Sequence, residues 1–325
     1  MEENVVEVKN LRRIYESTTG ILKKKKKEII ALESISFDIK RGELFGLLGP
    51  NGAGKSTTIK ILTTLLAPTS GSAKVFGYNV FGEEKFIRHR MNFIFGGERG
   101  LYWRLSAIDN LRYFSDLYKI DRKVQNKRIP ELLELVGLKD RADEKVETFS
   151  KGMMQRLQIA RGLVNDPELL FLDEPTIGLD PVGARDLREI ISSLIVRGKT
   201  LLLTTHYMYE ADELCHRIAV INKGNIVALD TPKELKKYAA GISVLEIFAL
   251  GVDKARLDMI KKEINPAAIS IKQQDQLQKI EIQSENPSSI TQDVLRILKD
   301  IKVSSMNIRE ATLEDAYIKL VGGES

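Results

Sequence analysis

The chain has 325 residues, 43% of them hydrophobic, and its 50 Lys and Arg against 45 Asp and Glu give a formal charge of +5. That excess is one run, Lys23–Lys27, so there is no broad basic surface and no reason to expect a nucleic-acid partner. A single cysteine, Cys215, excludes an intrachain disulfide and predicts a reducing compartment. The acidic start, Met1-Glu2-Glu3-Asn4, does not read as a signal peptide, and no apolar stretch reaches the roughly 18 residues of a membrane span. The length predicts two domains, a large one and a smaller one.

In chain order, 5–8 and 29–39 read as strands, the second alternating at Ile35, Phe37 and Ile39. The lysine-bearing stretch between them, 16–28, reads as a solvated mobile loop. Attraction to anionic lipid head groups, about 1 kcal/mol per lysine near such a surface, is the functional alternative. Tyr15, between strand and loop, offers a ring for stacking on a base; an ordinary half-buried tyrosine is the equal alternative. Leu44-Phe45-Gly46-Leu47-Leu48 is a short buried strand. It runs into Gly49-Pro50-Asn51-Gly52-Ala53-Gly54-Lys55-Ser56-Thr57, which fits G-x-x-x-x-G-K-[ST] at Gly49, Gly54, Lys55 and Ser56. The spacing predicts a helix over 57–66. Strand, glycine loop and helix bring backbone N–H groups to bear on one phosphate. Lys55 would supply a point charge to the outer phosphates and Ser56 a hydroxyl for Mg²⁺. A chance glycine-rich turn is the bland alternative.

Residues 72–95 hold two more strands, and 96–100 a glycine hinge. A helical pattern covers 106–138. Ser150 is a good N-cap for a helix over 152–164, and with Gly152 leaves a helix start open to a second phosphate, although an ordinary capped helix has the same pattern. Residues 168–172 form an apolar strand ending in Asp173-Glu174. Charges there are costly unless they have a cation or a task. Asp173 suits the Mg²⁺-holding acid of phosphate-loop enzymes, and Glu174 suits a base for an attacking water. A helix over 182–196 and a strand over 200–204 follow. His206 stands at that strand's end, able to reach a γ-phosphate or simply be a satisfied polar group; His89 and His216 read as structural. Strands alternating with helices predict a parallel sheet covered on both faces. From Ile242 onward the pattern changes to two or three strands with helices near 256–264 and 289–298, a small α+β appendage.

Taken together, these residues resemble the nucleotide-binding subunit of an ATP-binding cassette (ABC) transporter. The motifs stand in the family's order: an aromatic A-loop residue (Tyr15), Walker A (Gly49 to Thr57), the signature (Ser150-Lys151-Gly152-Met153-Met154-Gln155), Walker B (Leu169 to Asp173) with Glu174, a D-loop (Gly178-Leu179-Asp180-Pro181) and a switch histidine (His206). The Ser-Lys-Gly-Met signature and the tail ending Ala311-Thr312-Leu313-Glu314-Asp315-Ala316-Tyr317 look like the type-2 exporter branch.

The resemblance implies an α/β phosphate-loop NTPase core over 1–240 with a parallel sheet, an antiparallel β subdomain and a helical subdomain at about 97–165, plus a small α+β domain over 241–325. It implies ATP and Mg²⁺, catalysis by Lys55, Glu174 and His206, and metal held by Ser56 and Asp173. The nucleotide would contact Tyr15, Gly49 through Thr57 and Asp180, with Ser150 and Gly152 closing over the partner's γ-phosphate. Partners would be a second copy of the chain and a separate membrane permease, at the cytoplasmic face of the membrane. Two departures matter, and the first is that the signature has Lys151 and Met153 in place of the commoner Gly and Gln, while the phosphate-facing Ser150 and Gly152 remain. The family usually carries a Mg²⁺-touching glutamine after the strand at 92–95, where Gly96-Gly97 is found. Gly97 is the expected equivalent and Glu98 the candidate substitute.

Overall fold

The computed structural model describes residues 3–19, 25–96, 100–239, 243–264, 266, 268–274, 276–284 and 287–322. It divides into two compact units, Met1–Asp230 and Thr231–Ser325, a division ahead of the 240/241 boundary read from sequence.

The first unit begins with β1 (Asn4–Thr19), β2 (Lys25–Lys40), β3 (Leu44–Leu48) and α1 (Lys55–Leu62). Then come β4 (Ser70–Val75), β5 (Tyr78–Asn79), β6 (Met91–Phe95), α2 (Ala107–Leu117), α3 (Arg122–Leu135) and α4 (Lys151–Gly162). It closes with β7 (Leu169–Asp173), α5 (Pro181–Val196), β8 (Thr200–Thr205), α6 (Met208–Leu214), β9 (Arg217–Asn222) and β10 (Asn225–Asp230). Helix α1 stops short of the expected Leu66, and Thr64 just beyond it takes the left-handed conformation (φ 62°).

The loop expected over 16–28 is corrected by the structure. Strands β1 and β2 form one long antiparallel hairpin whose pairing continues through Ser17↔Lys27 and Thr18↔Lys26 to Thr19↔Lys25. Lys23 and Lys24 lie outside the described residues. Strand β2 is the outer member of a four-stranded sheet ordered β2-β1-β4-β5. A lysine-rich sequence can pair on its inner side there while its charges discourage pairing on the outer side.

The six-stranded sheet is ordered β10-β9-β3-β8-β7-β6. Every neighbouring pair is parallel except β9 with β10. All five residues of β3 are buried, as are all six of β8, the signature of strands covered on both faces. The antiparallel sheet and α1 share one core with this sheet: Val6, Leu11 and Ile35 meet Phe45, Ile59, Phe171 and Ile221. Phe37 stacks on Phe45 at a centroid distance of 5.2 Å. Each such fully buried side chain contributes about 1.5–3 kcal/mol.

Register does the positioning. Leu48 pairs with Thr205, Thr204 with Asp173, and Asp173 with Phe95. The carboxyl ends of β3, β8, β7 and β6 therefore finish in one row, where open parallel sheets place their ligands.

The second unit holds α7 (Pro232–Lys236), β11 (Ser243–Leu250), α8 (Lys254–Ile264), β12 (Ala268–Gln274), β13 (Leu277–Ser284), α9 (Pro287–Ile297), β14 (Lys302–Glu310) and α10 (Leu313–Gly322). Its antiparallel sheet, ordered β12-β13-β11-β14, has the split β-α-β-β-α-β arrangement, with four strands rather than two or three. Ile260, Val294 and Leu298 of the α8 and α9 region pack on Leu245, Ile247, Ile280 and Ile282. On β14, Arg309 joins Glu281 at 2.8 Å and Asp315 of α10 at 2.6 Å.

Candidate active site

The phosphate loop leaves β3 and enters α1 through Gly54, whose φ of 115° suits only glycine and whose Cβ would stand 2.7 Å from the Ala31 carbonyl. The loop is braced from outside, because Gly224 in the β9–β10 turn donates its N–H to the Ala53 carbonyl at 3.0 Å. No side chain caps α1, so its first N–H groups remain available to an anion. Lys55 is 4% exposed and its Nζ donates to the Gly49 and Pro50 carbonyls at 2.7 and 3.2 Å.

Two acids at the end of β7, Asp173 and Glu174, face this loop. Asp173 receives the Thr204 hydroxyl on Oδ1 at 2.5 Å and the Ser56 hydroxyl on Oδ2 at 3.4 Å. Glu174 turns away from the strand in the left-handed region (φ 49°), its N–H donating to the Thr204 carbonyl at 3.0 Å. Its Oε1 lies 3.3 Å from Lys55 Nζ and its Oε2 lies 3.2 Å from His206 Nδ1, the latter without hydrogen-bond alignment. Lysine, glutamate and histidine thus stand side by side around the loop. Pro50, Asn51, Gly52, Gly54, Lys55, Ser56, Thr57, Ala31 and Glu174 enclose an open recess of about 140 Å³. Tyr15 reaches the same end, its hydroxyl 3.5 Å from Thr57 Oγ1, with the Arg13 guanidinium over its ring.

Three expected residues stand apart from this recess. Ser150 caps α4, accepting the Met153 N–H at 3.3 Å, and a Cβ on Gly152 would meet nothing nearer than Ser150 Oγ at 4.0 Å. Asp180 caps α5, accepting from Gly183 N at 2.7 Å. The turn between Glu174 and Asp180 carries Gly178 (φ 69°), and the Lys151 ammonium lies directly against it. His216 is structural, its Nδ1 accepting Leu44 N–H at 2.9 Å.

Sequence reasoning missed three residues here. Thr204 read only as strand, yet its hydroxyl pins Asp173. Gly96 read as hinge, yet its N–H donates to the Asp173 carbonyl at 2.8 Å and a Cβ there would stand 2.5 Å from the Glu174 carbonyl. Glycine is thus required by the approach of β6 to the acid-bearing strand. Gly97 and Glu98 lie outside the described residues. Glu210, on the first turn of α6, is 2% exposed beneath the site. Burial raises its carboxyl pKa, with the nearby Thr205 and Thr176 hydroxyls, Arg188 and His206 pulling the other way.

Residues 32–177 match the family model described as ABC transporter. The chain is 36% identical to the linearmycin resistance ATP-binding protein LnrL of Bacillus subtilis, across 91% of this chain and 94% of that one. This chain belongs to the ABC transporter family. It is 39% identical to the fluoroquinolones export ATP-binding protein Rv2688c of Mycobacterium tuberculosis, across 90% and 88% of the two chains. The Nod factor export ATP-binding protein I of Neorhizobium galegae is 36% identical across 90% and 81%. Among solved structures, the dimeric post-hydrolysis state of the ATP-binding cassette MJ0796 bound to ADP and Pi matches with a TM-score of 0.60 and 28% identity, covering 70% of this chain and 98% of that one. The α/β phosphate-loop fold and the ATP-binding, ATP-hydrolysing activity of an ABC transporter subunit follow from this membership.

Proposed function

We propose that two copies of this chain clamp two ATP molecules head to tail and so drive export through a separate membrane permease. The observation that carries the reading is that the phosphate recess is small and open. At about 140 Å³ it falls below the roughly 300–1,000 Å³ of ordinary ligand pockets, and no signature residue lines it. Ser150 and Gly152, meanwhile, present an open helix start to whatever approaches from outside the chain. A second copy would bring its signature over the first copy's nucleotide. The dimeric MJ0796 cassette is a precedent for such pairing. Two of these relatives are named for export of unlike cargoes, Nod factor and fluoroquinolones, and a third for linearmycin resistance, which supports the exporter branch and leaves cargo choice to the permease. No helix among the described residues is long and apolar enough to cross a membrane, so a membrane pathway would come from another chain. We place the pair on the cytoplasmic face of the membrane.

The chemistry follows from the distances. The α1 N–H groups and Lys55 hold the outer phosphates, and Tyr15 stacks on the base. Ser56 and Asp173 fit Mg²⁺, being two oxygen donors side by side at a site with room for phosphate oxygens, and Mg²⁺ when bound supplies charge neutralisation. Glu174 takes a proton from a water as its oxygen bonds to the γ-phosphorus and the bond to the bridging oxygen breaks, giving ADP and phosphate. His206 holds the γ-phosphate, and the partner's Ser150 and Gly152 close the far side. Positioning and fixed charge provide the acceleration. The test is Glu174→Gln: it should bind ATP, lose steady turnover and elute as a dimer on a sizing column. A variant that stays monomeric with ATP and turns over normally would sink the reading.

A further inference from the structure

Tyr15 has a charged neighbour that the chemistry above leaves unused. The Arg13 guanidinium carbon stands over the Tyr15 ring, 4.8 Å from its centroid. Strand β1 is irregular at this point: its pairing with β2 shifts register between Leu11 and Arg13 and again between Arg13 and Ile14. Breaks of this kind re-aim side chains, often beside active sites. This one is stapled from the connection that follows α1. Thr69 N–H donates to the Arg12 carbonyl at 2.8 Å, and Thr69 Oγ1 accepts the Ile14 N–H at 3.0 Å. Arg13 Nη1 donates to the Ala67 carbonyl of the same connection at 3.0 Å. Its Nε is buried without a hydrogen-bond partner, so the electron-rich ring face is what meets the middle of the cation. The other end of the ring is set separately, with the Tyr15 hydroxyl 3.5 Å from Thr57 Oγ1 on the first turn of α1. A ring held at its hydroxyl by one element and across one face by another has its plane fixed and a single face to offer. The Ala67 tether lies beyond the C-terminal end of α1, whereas phosphates would meet the N-terminal end, which favours action through the ring over direct contact with phosphate.

We propose that Arg13 is a positioning residue for the nucleotide base: its guanidinium covers one face of Tyr15, fixes the plane of the ring and so presents the opposite face for stacking. This rests on the stacking role given above to Tyr15. Arg13 touches neither base nor phosphate. It acts by ordering the ring before the nucleotide arrives, so that binding does not have to supply that ordering.

The test titrates the purified full-length chain, in MgCl₂, with two ligands: the non-cleavable analogue AMP-PNP, and inorganic tripolyphosphate, which has the anionic chain but no base. Arg13→Met keeps the stem and removes the planar cation. It should weaken AMP-PNP binding by about 3- to 10-fold. Tripolyphosphate binding should stay within about twofold of the parent, because no base is there to stack. Tyr15→Ala should weaken AMP-PNP binding by about 5- to 150-fold. The double variant Arg13→Met/Tyr15→Ala should bind no more weakly than Tyr15→Ala alone, because Arg13 acts through the ring. Parental AMP-PNP affinity in Arg13→Met overturns the proposal. So does an equal loss for both ligands, the mark of a general effect of charge or folding, and so do additive losses in the double variant. If Arg13→Met does not fold, Arg13→Gln titrated with the same two ligands decides by the same outcomes. Tyr15→Ala separates the failures: unchanged AMP-PNP affinity there defeats the stacking role of Tyr15 itself, whereas a loss there beside parental affinity in Arg13→Met defeats this inference alone.

Discussion

Replacing Thr204 by valine probes how far the sheet itself, and not the motif, organises the metal-binding acid. Thr204 is wholly buried and valine has its shape. The hydroxyl donates to Asp173 Oδ1 at 2.5 Å and sits 3.3 Å from the Glu174 N–H, so one atom addresses both acids. A hydrogen bond to a charged group is worth about 1.5–3 kcal/mol. Asp173 keeps the Ser56 hydroxyl and some solvent, which puts the stability loss near the low end, about 1.5 kcal/mol, or a fall in Tm of about 3–6 °C. The larger effect is orientational: losing an outer partner of a metal ligand typically lowers metal affinity by about 10- to 100-fold. ATPase rates measured against MgCl₂ at saturating ATP should show the half-activating concentration rising at least about tenfold. A half-activating concentration within about twofold of the parent would refute the claim that Thr204 holds Asp173 for Mg²⁺.

Gly96→Ala should cost about 1–3 kcal/mol and slow turnover, because its Cβ would push on the Glu174 carbonyl; an unchanged melting curve and rate would count against that contact. Glu168 supplies a pH test. Hydrogen bonds from Arg90, then Arg41, hold its carboxyl at about 2 rather than the usual 4.5. That ion pair stabilises above pH 4.5 and is lost as pH falls toward 2, so Glu168→Gln should melt lower than the parent near pH 6 and converge with it in acid. Parallel melting-temperature curves across that range would contradict it. A chain ending at Asp230 should keep basal ATPase within about twofold, since every residue assigned to the site lies before it; loss of activity in a folded truncation would contradict that.

Much of the site was legible because its chemistry is local in sequence. Gly49 to Thr57 and Asp173-Glu174 each carry their task within a few residues, and the apolar runs before them predicted the strands that deliver them. What stayed hidden depends on register. Thr204 matters because β8 lies beside β7 with Thr204 opposite Asp173, and Gly96 because β6 ends against the same residue. The hairpin was misread for a different reason. Five successive lysines weigh toward solvent, and only the pairing of Ser17–Thr19 with Lys25–Lys27 reveals a strand. In the second unit, β14 alternates weakly and is mostly exposed, so its propensity alone does not announce it.

That outer hairpin strand has one more consequence. A sheet border with unfilled backbone bonds is a template on which other chains can stack, and crowded cells present many copies at once. The three lysines at the start of this strand, Lys25–Lys27, set like charge against like when a twin approaches that end. Neutralising them with glutamine should therefore leave catalysis alone yet shorten the shelf life of a concentrated solution, visible as a rise in scattered light.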